Sequence, residues 1–143
     1  MTDDNTEIET DETSLIIRRT FDASRERVWT AFTDPDELEQ WFVPDGMTAE
    51  VHALEPESGG AFAVSWTDGE NRIENEGTYV EVVKNERLVA VEDTAEGELR
   101  LTYEFQDVGD KTEVVLTQEF PGPVHDGAAA GWAGMLDTLA EVL

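Results

Sequence analysis

The chain has 143 residues, with 34 acidic and nine basic side chains and a net charge of −25. This length suits one domain with a real hydrophobic core rather than two domains. The absence of cysteine excludes a disulfide framework, a thiolate zinc site and a cysteine nucleophile. No apolar run approaches the about 18 residues of a membrane span. The acidic N-terminus does not resemble a secretory signal peptide.

The acidic residues are spread along the whole chain rather than gathered in one block. Such a polyanion is repelled by phosphates, so nucleic acids and anionic membranes are poor partners. Like charge opposes folding at low salt, whereas about 1 M salt shortens the Debye length to roughly 3 Å. We therefore expect a cytoplasmic protein adapted to high salt, with a composition that resembles haloarchaeal proteins. The alternative, docking to a basic partner, would need a localised acidic patch.

The first 13 residues carry six acids, no base and almost no apolar side chain. A segment of this composition cannot bury enough surface to fold, so residues 1–13 are predicted to form a disordered acidic tail. Residues 14–143 contain no internal repeat and no linker rich in Pro, Gly or Ser. We interpret them as a single domain.

The domain begins with a predicted strand over Ser14–Phe21, which two short helices follow. Asp22 or Ser24 can cap the first helix, and Pro35 suits the first position of the second. Apolar side chains recur at helical spacing in both helices, namely Val28, Trp29 and Phe32 in the first and Leu38, Trp41 and Phe42 in the second.

From Met47 onward the hydrophobic period changes to two, which predicts about six strands in an antiparallel meander with one wet and one dry face. The C-terminal segment then predicts a long helix that starts near Pro123 or Asp126. Seven apolar residues from Ala128 to Leu143 fall within roughly 140° of a helical wheel. Only this helix is long enough to cover the dry face of a curved sheet.

The predicted fold class is therefore α+β. A curved antiparallel sheet of about six or seven strands wraps around a long C-terminal helix, and two short helices lie between the first and second strands. This order is the helix-grip arrangement of the SRPBCC (START-like) superfamily.

Four stretches resemble the branch of that superfamily named for the activator of the heat-shock protein 90 ATPase, namely 21–46, 77–89, 112–122 and 131–143. Two departures are Ser24, where members often have Pro, and Phe42, where many have a second Trp. The resemblance implies a cavity between sheet and last helix, which in similar proteins often holds an apolar small molecule. The family is functionally mixed, so its fold alone does not determine an activity.

Aromatic side chains at element ends and on dry faces are typical of ligand pockets and equally typical of cores. We interpret most of them as core and some as pocket lining, foremost Trp41, Trp66 and Trp132. The candidate ligand-binding residues are Trp41, Phe42, Met47, Trp66, Tyr103, Gly131, Trp132 and Met135.

Three glycines, Gly127, Gly131 and Gly134, share one side of the last helix. Each costs roughly 1 kcal/mol relative to Ala in a helix interior, which indicates that something must come close or that space is needed. We favour close approach of the backbone to the sheet or the first helices over space for a ligand.

No catalytic residue, metal ligand or cofactor is predicted. His52, on the wet side of its strand, and His125, in a loop or at a helix start, lie far apart in sequence, and no HExxH or GxSxG motif is present. Acids near strand ends, Glu76, Glu81 and Glu92, would matter only if an apolar cavity buried one of them.

The predicted function is binding of an apolar or amphipathic small molecule, without evident covalent chemistry. Two alternatives are a co-chaperone-like interaction module, whose protein partner is unknown, and a cyclase- or hydratase-like enzyme. A binding module should have a closed apolar cavity of roughly 300–1,000 Å³. An interaction module should expose an apolar patch of several hundred Å². An enzyme should bury a titratable group with a perturbed pKa. Arg72 and Arg100 either hold a ligand carboxylate or pair with neighbouring acids.

Overall fold

In the computed structural model, which describes residues 6–143, one eight-stranded antiparallel sheet and three helices follow the predicted order. The spatial order of the strands is β1-β2-β8-β7-β6-β5-β4-β3. The strands are β1 Thr6–Thr10, β2 Ser14–Phe21, β3 Thr48–Leu54, β4 Ala61–Thr67, β5 Arg72–Val83, β6 Arg87–Thr94, β7 Gly97–Val108 and β8 Lys111–Glu119, and the helices are α1 Arg25–Thr33, α2 Pro35–Trp41 and α3 Ala128–Val142. The helix-grip arrangement is thus confirmed.

The prediction of a disordered tail is wrong for Thr6–Thr10, which forms β1 and pairs antiparallel with β2. The turn between them is closed by Asp11, whose Oδ1 accepts hydrogen bonds from the backbone N–H groups of Thr13 (3.0 Å) and Ser14 (2.8 Å). Acidic composition misled the prediction because an edge strand needs backbone partners on one side only and leaves its acids in water. Residues 1–5, also assigned to the tail, lie outside the described part.

Two short helices connect β2 to β3, and each begins at a residue whose side chain caps it. Of the two candidates, Ser24 caps α1, because its Oγ accepts a hydrogen bond from the backbone N–H of Arg27 at 3.2 Å. Asp34 serves both helices. Its N–H donates to the Thr30 carbonyl and ends α1, while its Oδ1 accepts from the N–H groups of Asp36 and Glu37 and begins α2.

The core lies on one side of the sheet, here called the inner face, which α3 covers. One row of buried side chains crosses four strands of this face, in the order Ile17, Leu116, Tyr103 and Leu88. Gly77 on β5 is required by close packing, because a Cβ there would lie 2.5 Å from Cε2 of Phe62 and 2.3 Å from a backbone oxygen.

Helix α3 begins at Ala128, later than Pro123 or Asp126, after Gly127 with φ +84°. Its apolar side enters the core, where Leu136 and Leu139 are 1% and 0% exposed. An ion pair between Arg19 of β2 and Asp137 joins the helix to the sheet. None of the helices in residues 6–143 is long and apolar enough to cross a membrane.

Candidate functional site

The space between sheet and helices is filled largely by aromatic rings. Phe32 of α1 lies at the centre, with ring centroids 4.7 Å from Trp41, 5.1 Å from Tyr103 and 5.1 Å from Phe105. Trp41 is fully buried, and its Nε1–H donates to the Ala31 carbonyl at 2.9 Å. These contacts make Trp41 a core residue that fixes α2 against α1.

The rings leave an apolar space of only about 30 Å³ between sheet and helices, which we call the small cavity. That volume suits about one water molecule. The expected closed cavity of roughly 300–1,000 Å³ is therefore wrong for the interior of this protein. Its lining includes Phe32, Trp41, Phe42, Phe62, Tyr79 and Tyr103.

A larger space of about 450 Å³ lies between the N-terminal half of α3 and the sheet, and we call it the α3 groove. It is open to solvent at exposed residues such as Gly127 and Gly131. Its residues are Trp66, Ile73, Gln118 and Phe120 on the sheet side, Gly127, Ala128, Gly131, Trp132 and Met135 on the helix side, and Pro44, His125 and Asp126 beside them.

Two indoles form walls of the α3 groove, and each is fixed by a hydrogen bond. Nε1–H of Trp132 donates to Oε1 of Gln118 at 3.1 Å, and Nε1–H of Trp66 donates to the Phe42 carbonyl at 2.7 Å. The Phe42 ring contacts both indoles, with centroids 5.2 Å from Trp66 and 5.9 Å from Trp132. Since Phe42 also lines the small cavity, its ring lies between the two spaces.

The glycines of α3 do not mark a close backbone approach, so that interpretation is wrong. A Cβ built at Gly127, Gly131 or Gly134 meets no heavy atom within 4 Å. Gly131 faces the α3 groove, whereas Gly134 faces open space outside it. Gly127 is explained by its backbone, because φ of +84° is strained for any residue with a side chain.

Seven of the eight predicted site residues line one of the two spaces. Met47 is half-buried and lines neither space. Trp66, Gly131, Trp132 and Met135 line the α3 groove, and Trp41, Phe42 and Tyr103 line the small cavity.

Sequence reasoning missed the groove residues Ile73, Gln118 and Phe120. Gln118 and Phe120 continue the period-two pattern of Val114 and Leu116 on β8, so that signal was available. Ile73 was missed because the alternation of apolar residues did not indicate that β5 begins as early as Arg72.

One acid, Glu92, lies on the inner face, two positions after the buried Ala90 on β6. Its side chain is half-buried and its carboxyl makes no hydrogen bond or ion pair with any described residue, and burial raises the pKa of this carboxyl to about 7. Burial also raises the pKa of Tyr79 to about 12. The pKa of Tyr103 is raised by burial and further by the neighbouring Tyr79 and Glu92.

The other two candidate acids, Glu76 and Glu81, are exposed on β5. Glu81 forms an ion pair with Arg87 at 3.1 Å. Neither side chain meets the condition of burial in an apolar cavity.

The outer face of the sheet carries a polar network around Ser65. Its hydroxyl donates to Oε1 of Glu74 at 2.9 Å, accepts from Nη2 of Arg72 at 2.9 Å and lies 2.7 Å from Nε2 of His52. His52 is thus on the wet side, as predicted. Ser65 is 1% exposed, so these bonds tie neighbouring strands together at a hydroxyl with little access to solvent. Arg72 and Arg100 pair with Glu74 and Glu98, the second of the two roles considered for them.

No metal site is evident, since residues 6–143 contain no group of three or more His, Asp or Glu placed to hold an ion. His125 lies in the loop before α3, as predicted, with its ring 5.0 Å from that of Phe120. The site is therefore a groove of aromatic surfaces with few polar groups.

Comparison with known proteins agrees with this architecture. The model of the family described as Activator of Hsp90 ATPase homolog 1-like protein matches residues 22–143. The chain belongs to this family. None of the curated proteins matches the chain.

Solved structures show the same Activator of Hsp90 ATPase homolog 1-like architecture at low sequence identity. A Chromobacterium violaceum protein is 25% identical with a TM-score of 0.81, and the match covers 90% of this chain and 96% of that one. A Rhodobacter sphaeroides protein is 24% identical with a TM-score of 0.87, over 95% of this chain and 96% of the other. These similarities support the fold.

Proposed function

We propose that the α3 groove binds an apolar or amphipathic small molecule. The observation that carries the proposal is an open space of about 450 Å³ walled by aromatic side chains. Pockets for small molecules occupy roughly 300–1,000 Å³ and combine apolar walls with a few polar groups. Gly131 contributes because its missing side chain leaves that part of the groove free.

The walls of the groove favour a ligand with an aromatic body. The indole N–H groups of Trp66 and Trp132 are already bonded within the protein, so these walls offer ring faces rather than donors. A bicyclic ligand that buries about 200 Å² of apolar surface gains roughly 5 kcal/mol from that burial. The cost of association removes part of this gain, so we expect micromolar to millimolar dissociation constants.

The alternative of a protein-interaction module has weaker support. A protein-interaction module should have one exposed apolar patch, whereas the exposed large hydrophobic residues of the described chain are spread over three strands. They are Ile8 on β1, Ile73, Val80 and Val83 on β5, and Val108 on β7.

A matched pair of α3 variants tests the proposal, with 1-naphthylmethanol as a neutral probe and calorimetry as the readout. Gly131→Phe fills the groove, whereas Gly134→Phe adds the same side chain to the same helix outside the groove. We expect the wild type and Gly134→Phe to bind the probe and Gly131→Phe to lose binding, with similar melting temperatures for both variants.

Unchanged probe affinity in folded Gly131→Phe would place the binding elsewhere and contradict the proposal. Failure of the wild type to bind any apolar probe would do the same. Native mass spectrometry of protein purified from its own host would then identify the natural ligand by its mass.

A further inference from the structure

One polar side chain, Gln118 of β8, lies on the inner face among apolar neighbours and lines the α3 groove. In the strand register it stands between Leu15 of β2 and Leu101 of β7, which are 0% and 4% exposed. On either side of it along the chain, Leu116 and Phe120 are also buried. Burying an amide in such surroundings costs free energy unless its donors and its acceptor find partners.

The acceptor of this amide is used within the protein, whereas its donors are not. Nε1–H of Trp132 donates to Oε1 of Gln118, and because an indole nitrogen is only a donor, this bond decides which end of the amide faces Trp132. The Nε2 group of Gln118 is therefore turned away from the indole nitrogen, and its two N–H donors make no hydrogen bond with any described residue. Nε2 has access to solvent, unlike the buried side-chain atoms of the described chain that lack a partner.

The other polar side chains of the groove offer a ligand weaker partners. The indole N–H groups of Trp66 and Trp132 are already bonded within the protein. His125 and Asp126 are exposed, so water competes for them. Within the described lining, Gln118 is therefore the side chain that combines a free donor with a half-buried position.

The charge of the surroundings favours an uncharged acceptor over an anion. The described lining contains Asp126 and no lysine or arginine, in a chain of net charge −25. An anion would give up its water here without gaining a cation. The uncapped N-terminus of α3 adds partial positive charge beside the groove, but this charge lies at an exposed helix end, where salt screens it. A ligand oxygen that accepts from Nε2–H of Gln118 should therefore be uncharged.

We propose that the ligand of the α3 groove carries an uncharged acceptor such as a carbonyl oxygen on its apolar body, and that Nε2–H of Gln118 donates to this oxygen. The inference rests on the proposed function of the groove and names the ligand class that it selects. Ligand entry displaces water from Nε2, so a ligand of the same shape without an acceptor leaves a half-buried donor unpaired. Gln118 thus determines specificity, and Trp132 positions it by fixing the orientation of the amide.

Two isosteric probes test the inference, 1-acetylnaphthalene with a carbonyl group and 1-isopropenylnaphthalene with a C=CH2 group in its place. Equilibrium dialysis with the protein in excess measures both affinities in about 1 M KCl, which screens the net charge of the protein. The readout is the ratio of the ketone affinity to the alkene affinity, compared between wild type and variants. The different hydration of the two free probes cancels in that comparison.

Gln118→Glu keeps an acceptor for Nε1–H of Trp132 but removes the amide donors, and Gln118→Met removes the donors without adding charge. We expect each variant to lower the ketone-to-alkene ratio about tenfold, because it neither binds the carbonyl nor penalises the alkene. A purely structural role of Gln118 would change both affinities alike and leave the ratio unchanged. Gln106→Glu, the same change at an exposed position of the neighbouring strand β7, is the matched control and should keep the wild-type ratio. Melting curves establish that the variants are folded.

The outcomes separate the two proposals. An unchanged ratio in both Gln118 variants, with Gly131→Phe still blocking both probes, overturns the role of Gln118 and leaves the groove as the binding site. Wild-type binding of 1-naphthoate as tight as that of the ketone overturns the preference for an uncharged acceptor. Wild-type affinity of folded Gly131→Phe for the probes, or absence of binding of both probes to the wild type, overturns both proposals.

Discussion

Replacing Glu92 by glutamine should stabilise the protein above neutral pH, although it removes a charged residue from a half-buried site. Burial raises the pKa of this carboxyl from 4.5 to about 7, so the folded protein holds the proton more tightly than the unfolded chain does. Stability is then lost as pH rises from about 4.5 through about 7, because folding must keep an ionised group away from water. Glutamine has the same shape and never ionises.

The size of the effect follows from the pKa shift. A shift of one unit corresponds to about 1.4 kcal/mol, so the full cost of the ionised Glu92 is about 3 kcal/mol above roughly pH 8. By the same linkage, the free-energy cost of ionising Glu92 is about 1 kcal/mol at roughly pH 5. For a chain of this size, about 3 kcal/mol corresponds to a rise in melting temperature of roughly 6–12 °C.

Urea unfolding followed by tryptophan fluorescence measures this difference between wild type and Glu92→Gln at both pH values, in constant KCl. Glu76→Gln, exposed on the neighbouring strand, should change the free energy of unfolding by less than about 0.5 kcal/mol. An equal stabilisation by Glu92→Gln at about pH 5 and about pH 8 would refute the reasoning, because uncoupled packing rather than ionisation would then explain it.

Three further outcomes are expected. The melting temperature should climb steeply with KCl up to about 1 M, because the net charge of −25 becomes screened, and a flat response in calorimetric scans would remove the interpretation of salt adaptation. Asp34→Ala should cost about 1 kcal/mol in urea unfolding, since its carboxylate caps α2, while Asp45→Ala, an exposed loop acid, should cost less than half of that. Gly131→Ala should raise stability by roughly 1 kcal/mol, because its Cβ meets open space, and a destabilised variant would show hidden contacts.

Hydrophobic periodicity predicted most of the fold because burial on one face imposes it. The helical spacing of Val28, Trp29 and Phe32 and the alternation of Leu101, Tyr103 and Phe105 both correspond to buried faces in the structure. Where burial does not determine an element, hydrophobic periodicity does not indicate it. Strand β1 is stabilised by backbone pairing, so its acidic sequence gave no sign of it.

The candidate site was less predictable than the fold, because it depends on the volume left between side chains and on the direction in which each side chain points. Tyr103 lies beside Trp132 of the last helix, with ring centroids 6.2 Å apart, but the fit of the Trp41 and Tyr103 rings against Phe32 decides that the interior is nearly full. The three glycines suggested a close approach, yet a Cβ built at any of them meets no heavy atom within 4 Å, and only Gly127 and Gly131 border the groove. The position of Glu92 near a strand end did not reveal that its side chain points to the inner face.

Phe42 couples the capacity of the groove to the end of α2. Its ring stands between the two spaces, while its carbonyl anchors the indole of Trp66 through the 2.7 Å hydrogen bond. Displacing this ring to join the two spaces would therefore disturb both the Trp66 wall of the groove and the last turn of the seven-residue α2. The ligand proposed above can fill the groove without that disturbance only if it stays outside the Phe42 ring.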